Sequence, residues 1–466
     1  MSVRPIDALN KMAKSFGVAK KDLLVLAPAN DPFNSGTATN VVMAEWFARL
    51  LNEHDLPAEK HLRRYHYSVT TLDTPIVMPN GESYENTEAC WDYLQTASKH
   101  ARYQGLVDPS HFTDNRNPAA EEFQAQPRPT PEPNWEVEDF CTWYGPSIPS
   151  PERGAIFLPD ITVNGYDYDD GDQPSHLECW IEKSTMDAEL DPICEKYRVT
   201  KKQGIGFDSV TSVIKLLERC QAFMEIDRPI RIFYISDFDP AGYAMPIAIA
   251  RQIQFWLWRH GCNADIRLKP LALTKEQVEQ YKLPRKPIKE EDKRKENFEA
   301  RHGEGHVELD ALAALHPGEF ERIVSEAFAD YRDPTLADDL DDAYSEASSN
   351  ADDAWDTATE HVRVKVNDLL YQMNAVSDKY IPKVNKLRHA MDAELEPLQK
   401  EMRGLERWAD DECAAASQYL HVDLPLRPDA EPAAEAEAGE WLYDSTRIYG
   451  DQVDHFHAHQ NGELEQ

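Results

Sequence analysis

An acidic pair, Asp237 and Asp239, closes an apolar run that reads Arg231-Ile-Phe-Tyr-Ile-Ser-Asp-Phe-Asp-Pro-Ala-Gly242. A second apolar run, Leu177-Glu-Cys-Trp-Ile, ends at Glu182 and Lys183. Residues two apart on a strand share a side, so Asp237 and Asp239 converge while Phe238 points away. A glutamate from a second strand tip completes a set of hard oxygen donors. Such a set suits Mg²⁺, which keeps several waters and takes one or two protein carboxylates; Mn²⁺ is the alternative ion. A metal held this way, with no cofactor motif beside it, points to phosphodiester chemistry. The bland alternative is a solvated turn at each strand end, and for an Asp-x-Asp alone that alternative is favoured.

The intervening sequence supplies elements that bring the two tips together. Met186 to Tyr197 reads as a helix. Lys201-Lys-Gln-Gly-Ile-Gly206 reads as a glycine turn, and Asp208 to Cys220 as a second helix. A strand to Asp239 follows, then Pro-Ala-Gly and an apolar helix from Tyr243 to Trp258. Right-handed crossovers would set Glu182 and the aspartates on neighbouring parallel strands. Their carboxyl ends are where ligands bind in open α/β sheets.

A glutamate after one strand and an Asp-x-Asp after a later one resembles the Toprim domain of topoisomerases, primases and some nucleases. Glu182, Asp237 and Asp239 match that pattern residue by residue. Upstream, His61-Leu-Arg-Arg-Tyr-His-Tyr-Ser68 resembles the tyrosine motif of the topoisomerase VI A subunit and its meiotic double-strand-break relatives. Aligning Arg63 with the family arginine puts Tyr67 at the nucleophile position, although Tyr65 and His66 depart from the family's tyrosine pair. Tyr93 to Val107, Asp114-Asn-Arg116-Asn-Pro and Val307 to Leu312 are also similar, so the resemblance spans roughly residues 38 to 335. It implies a winged-helix-like domain carrying Tyr67 and a Toprim domain carrying the metal. It further implies a homodimer in which one subunit's tyrosine meets the other's metal, with double-stranded DNA as substrate. A phenol ionises near pH 10 and needs help as a nucleophile. Arg63, Arg64 and Arg116 are the candidates for that help and for holding the phosphate. The other reading of Tyr65 and Tyr67 is that they pack a helix face with bonded hydroxyls.

Three functions compete. The first is Mg²⁺-dependent cleavage by tyrosine transesterification. The second is a hydrolytic Toprim nuclease of the defence or mobile-element kind, with Tyr67 structural. The third is a scaffold built on a degenerate Toprim fold. A primase is weaker, because no zinc-ligand cluster precedes the triad. No Gly-x-x-x-x-Gly-Lys-Ser/Thr loop is present, so ATP-driven strand passage would need a separate ATPase B-type subunit.

The 466 residues predict two or three domains. A hydrophobic fraction of 41% with ten tryptophans excludes a disordered polymer. No apolar run is long enough to span a membrane, and the N-terminus lacks the apolar core of a signal peptide. Seven scattered cysteines without a Cys-x-x-Cys fit a reduced cytoplasmic protein. A net charge of −35 opposes phosphate binding as a whole. Basic residues nevertheless gather between Arg267 and Arg301 and around Arg63, Arg64, Lys99, Arg102 and Arg116, while 330–360 and 431–440 are acidic. Local basic surfaces facing DNA and adaptation to high salt both remain open.

The expected fold class is α/β with a helical, heptad-patterned C-terminal extension. The expected domains are 1–125, helical and winged-helix-like; 126–175, a Pro-rich linker and hairpin; 176–335, the Toprim domain; 336–420, acidic and coiled-coil-like; and 421–466, a mobile tail. Met78-Pro-Asn-Gly-Glu reads as a tight turn, either a wing or a plain hairpin loop. The Asn164-Gly165 pair is a hairpin signal. Val362 to Leu405 carries apolar residues at alternating fours and threes, interrupted by Pro382 and Pro397. That seam can dimerise the chain, dock a partner, fold back as a hairpin or pack on its own Toprim domain. His455, His457 and His459 alternate, and a solvated strip is the expected reading.

Overall fold

The computed structural model describes residues 3–54, 60–113, 118–127, 131–138, 142–146, 153–204, 210–380, 384–431 and 441–461. Arg116, Gly206, Pro382 and the acidic stretch 432–440 lie outside the described residues. The chain opens with helices α1 (Pro5–Phe16), α2 (Ala38–Glu53), α3 (Leu62–Thr70) and α4 (Glu88–Tyr103). Short strands β1 (Asn134–Val137), β2 (Thr142–Tyr144), β3 (Ala155–Phe157) and β4 (Ile161–Asn164) follow. Then come β5 (His176–Ile181), α5 (Asp187–Tyr197), β6 (Thr200–Gln203), α6 (Val210–Arg219), α7 (Gln221–Glu225), β7 (Ile230–Ile235), α8 (Pro240–His260) and β8 (Ile266–Ala272). The remainder is α9 (Lys275–Gln280), α10 (Lys295–His302), α11 (Asp310–Leu315), α12 (Glu319–Ala329), α13 (Leu336–Tyr380), α14 (Val384–Tyr419), β9 (Tyr443–Asp444) and α15 (Tyr449–Asn461).

The fold is mixed α/β and divides into two compact units. One comprises residues 1–127, 173–333 and 431–466; the other comprises 128–172 and 334–430. The first is organised by a five-stranded sheet in the order β6-β5-β7-β8-β9. The first four strands are parallel and β9 is antiparallel. Every residue of β5 and β7 is buried, as expected for central parallel strands covered on both faces. One face packs on α6 and α8 through Ile232, Tyr234, Val213 and Ile253. The other packs on α5 and α12 through Cys179, Phe233, Leu190 and Phe328. Helices α2, α3 and α4 bury their own cluster, in which Phe47, Tyr65 and Leu94 meet.

Two expectations are corrected in this unit. Lys201 to Gln203, expected to form a turn, is strand β6, paired parallel to β5. Its lysines hid it: Lys201 is 2% exposed, with its ammonium held among Asp187, Asp191 and Glu121. The tail expected to be mobile supplies β9 and α15. Leu442, Tyr443, Val453 and Phe456 are buried in the sheet's core, so the apolar residues outweigh the polar composition that suggested solvent. His455 is 4% exposed and bonds the Trp441 carbonyl, so it is not part of a solvated strip.

In the second unit the segment expected to be a linker is structured. β1 pairs with β4 and β2 with β3, both antiparallel. Asn164 ends β4 and Gly165 takes φ 98°, but the chain passes on to β5, and no hairpin forms at the Asn-Gly pair. Ile161 and Val163 pack against Ala347, Ala351 and Trp355 of α13. The indole of Trp355 donates to the Pro159 carbonyl at 2.8 Å. The heptad seam is buried where α13 meets α14: Val362 and Val366 join Ala409 and Cys413, and Met373 joins Met391, Leu395 and Met402. Of the expected uses of the seam, this is the folded-back hairpin.

Candidate metal centre

Glu182 is the first residue after β5, and its amide donates to the Ile235 carbonyl at 3.1 Å, which continues the pairing with β7. Asp237 lies two residues beyond β7. The loop between the aspartates is held like a strand, because Phe238 exchanges two 2.9 Å backbone bonds with Val307. Phe238 is buried against Phe298 while Asp237 and Asp239 stay on the other side, as strand alternation requires.

Each aspartate is further fixed. Asp239 is the N-cap of α8, and its Oδ1 accepts from the amides of Ala241 at 2.8 Å and Gly242 at 2.7 Å. Pro240 at the first helical position suits this start. A Cβ on Gly242 would lie 2.2 Å from the Asp237 carbonyl oxygen, so only glycine permits the turn that joins the acids to the helix. Asp237 accepts from the Leu309 amide at 2.7 Å through Oδ1 and pairs with the Lys183 ammonium at 2.8 Å through Oδ2. Lys183 also reaches Asp310 at 3.2 Å.

The electrostatics show that the three acids converge. Burial first, then the charges of Asp239 and Asp237, push the Glu182 carboxyl up to about 7, against the opposing pull of Lys183 and Arg294. Burial also raises Asp237, with Lys183 and the Leu309 amide working against it. Oε2 of Glu182 is buried and has no hydrogen-bond partner among the described residues. An orphaned carboxylate oxygen among mutually repelling acids fits a divalent cation, which Glu182, Asp237 and Asp239 would hold. The sequence reading named these three and missed the residues around them. Lys183 follows Glu182 directly, Asp310 sits in the Val307–Leu312 segment, and Arg294 belongs to the basic stretch. Each was visible as a residue, but only the fold reveals its proximity.

His302 adds a neutral polar ring behind the site. Burial drives its imidazole down to about 4. It packs on Tyr243 and Phe298 at 4.7 and 4.8 Å, and neither ring nitrogen has a partner among the described residues.

A second cluster of ligand-type residues, His176, Glu178 and Cys220, is fully buried. Here the cation is already present. Arg219 grips both oxygens of Glu178, with Nε at 2.7 Å and Nη2 at 2.5 Å. The Trp180 indole adds a third donor at 2.6 Å. Burial alone would raise the Glu178 carboxyl, but Arg219 and His176 bring it down to about 2. Burial drives the Cys220 thiol up and the His176 imidazole down. This is a satisfied ion pair in the core.

Tyr67, Arg63 and Arg64 lie on α3, whose buried face is Tyr65, His66 and Val69. His66 is locked by the Tyr84 hydroxyl at 2.6 Å and Asn86 at 3.0 Å. Tyr65 is therefore a packing residue, whereas Tyr67 is 51% exposed. Arg63, one turn before Tyr67 on the same face, lies over the Trp91 ring at 5.2 Å, and Arg64 is exposed. Among the described residues, no hydrogen bond or ion pair links this face to the three acids. The Met78–Glu82 turn is a minimal hairpin, bridged between Val77 and Ser83. Among the described residues, no helix is long and apolar enough to cross a membrane. No protein-family model matches this chain, and no curated protein matches it.

Proposed function

We propose that this chain is a Mg²⁺-dependent DNA-cleaving enzyme of Toprim type, with Tyr67 as the nucleophile. The observation that carries the reading is the convergence of Glu182, Asp237 and Asp239 at the carboxyl ends of two adjacent parallel strands, with Glu182 Oε2 left unpartnered among the described residues. A bound divalent ion would supply charge stabilisation to a phosphodiester. Lys183 and Arg294 bring positive charge to the same rim, which suits a polyanionic substrate.

Tyr67 is favoured over activated water because it stands in solvent on a helix otherwise anchored by Tyr65, His66 and Val69. Its hydroxyl oxygen would bond to phosphorus, the phosphorus–deoxyribose oxygen bond would break, and the phenolic proton would pass to water. Arg63 and Arg64 would lower the cost of the phenolate. With Tyr67 and the acids on separate clusters, a homodimer would join one subunit's tyrosine to its partner's metal. ATP-driven strand passage would call on a separate ATPase subunit.

The test is plasmid cleavage with Mg²⁺ or Mn²⁺, stopped with detergent and run with and without proteinase K, for wild type and Tyr67→Phe. Linear DNA that enters the gel only after proteolysis, and is lost in Tyr67→Phe, is the expected result. Free ends in both proteins would make the enzyme a hydrolytic nuclease and Tyr67 a surface residue.

A further inference from the structure

We propose that Lys183 is a displaceable counter-ion: its ammonium balances Asp237 in the structure and passes to Asp310 when a divalent cation enters the triad. The proposal rests on the metal reading of Glu182, Asp237 and Asp239, and adds how that site exchanges one positive charge for another.

Oδ1 of Asp239 is taken by the amides of Ala241 and Gly242, and Oδ1 of Asp237 by the amide of Leu309 at 2.7 Å. Asp237 would therefore ligate a cation through Oδ2, the atom that Lys183 Nζ holds at 2.8 Å. The same ammonium reaches Asp310 Oδ2 at 3.2 Å. It thus bridges two carboxylates, one a candidate ligand and the other outside the triad. These two are fixed relative to each other. Leu309 bonds Asp237, Asp310 follows it and opens α11, and Val307 is paired with Phe238. Lys183 is the movable part: a compact charge with three donors on a flexible four-carbon stem, its side chain 27% exposed.

A divalent ion ligated by Asp237 Oδ2, at about 2.1 Å, would stand within about 5 Å of the ammonium. Like charges that close repel strongly in a partly buried site. Asp310 offers the way out. Its side chain is 45% exposed against 11% for Asp237, so it draws the ammonium outward, away from the ion. Arg294 also lies near Glu182 and Asp239, but its guanidinium is tied to Asp292 at 2.9 and 3.0 Å. Until an ion arrives, Lys183 offsets part of the repulsion among the acids and keeps the site assembled for uptake.

The test is calorimetric titration of the full chain with Mn²⁺ at pH 8, for wild type, Asp237→Ala, Lys183→Met, Asp310→Asn and the double variant Lys183→Met/Asp310→Asn. Lys183→Met should bind at least about fivefold more tightly than wild type, and Asp310→Asn about fivefold more weakly, the low end of coupling between sites. In the Lys183→Met background, Asp310→Asn should change affinity by less than about twofold, because no ammonium is left to receive. Binding by Lys183→Met that is equal to or weaker than wild type would overturn the proposal. So would an Asp310→Asn effect of the same size in both backgrounds, which would make Asp310 an independent charge. No binding by wild type, or binding that survives Asp237→Ala, would instead remove the metal reading itself, and the proposal with it. Lys183→Gln takes the place of Lys183→Met should the latter fail to fold by circular dichroism.

Discussion

Glu178 and Glu182 stand four positions apart along the same stretch of chain, yet they meet opposite fates. Glu178 is fully buried, and Arg219, Trp180 and His176 surround its oxygens. Its carboxyl sits at about 2. Glu182 emerges from the strand end beside two more acids, keeps one oxygen without a partner among the described residues, and sits at about 7. Burial disfavours the charge of both. What separates them is the sign of the neighbouring charge: a guanidinium in one case, two carboxylates in the other. The comparison teaches that an ionisable cluster becomes a candidate site when its electrostatics are left unresolved, not when its ligand types are merely present. His176, Glu178 and Cys220 have the right types and are already satisfied.

The sharpest way to break this contrast is to remove one acid from each side. Asp237→Ala should reduce DNA cleavage by about 10³-fold, the scale on which lost transition-state charge stabilisation acts, with little change in thermal stability. Glu178 variants should do the reverse. Full activity in Asp237→Ala would end the assignment of the triad. Next in size, Arg219→Ala leaves the buried Glu178 charge unpaired and should cost about 3–5 kcal/mol of stability in denaturant titration. The double variant Glu178→Leu/Arg219→Met should recover most of that loss, because apolar packing replaces a buried pair well. Failure to recover would mean that the cluster does more than hold the core.

Metal linkage sharpens the comparison further. Thermal stabilisation by Mg²⁺ or Mn²⁺ should disappear in Asp237→Ala and persist in Cys220→Ala, as read by calorimetry. Because Glu182 must lose its proton to bind a cation, apparent metal affinity should fall by up to about tenfold per unit as pH drops below 7. A flat profile between pH 5 and 8 would show that Glu182 is not a ligand.

The smallest effect concerns the metal-free protein. The folded value of Glu182, about 7, exceeds its ordinary 4.5, so the folded state holds more protons than the unfolded chain between those limits. Stability contributed by this group therefore falls as pH rises through that window and stays low above it. Glu182→Gln should raise the melting temperature by a few degrees at pH 8 in the presence of a chelator, and leave it unchanged at pH 4. An unchanged melting temperature at pH 8 would show that neither burial nor the neighbouring acids oppose the charge of Glu182.

The helices around the acids were legible because apolar periodicity is local. Helix α5 starts one residue after the expected Met186, and α8 extends the expected 243–258 by a few residues at each end. Strand β6 was missed because its two lysines are polar by type but buried by partners, one of which, Glu121, precedes it by eighty positions. Strand β9 was missed for a related reason, since a two-residue strand has no periodicity to read. The segment 126–175 was taken for a linker on its prolines, yet its short strands find one another and the face of α13.

The sequence alone determined where the three acids fall relative to their strands, because side-chain alternation along a strand is a property of the backbone. It also determined the apolar runs that make both strands central. Only the tertiary structure decided which carboxylates are answered. Arg219 reaches Glu178 from forty-one positions away, Leu309 reaches Asp237 from seventy-two, and nothing among the described residues donates to Glu182 Oε2. Tyr65 and Tyr67 were equivalent as letters, and the packing of α3 buried one and exposed the other. Hydrogen-bond and charge satisfaction depend on groups distant along the chain, which local pattern cannot encode.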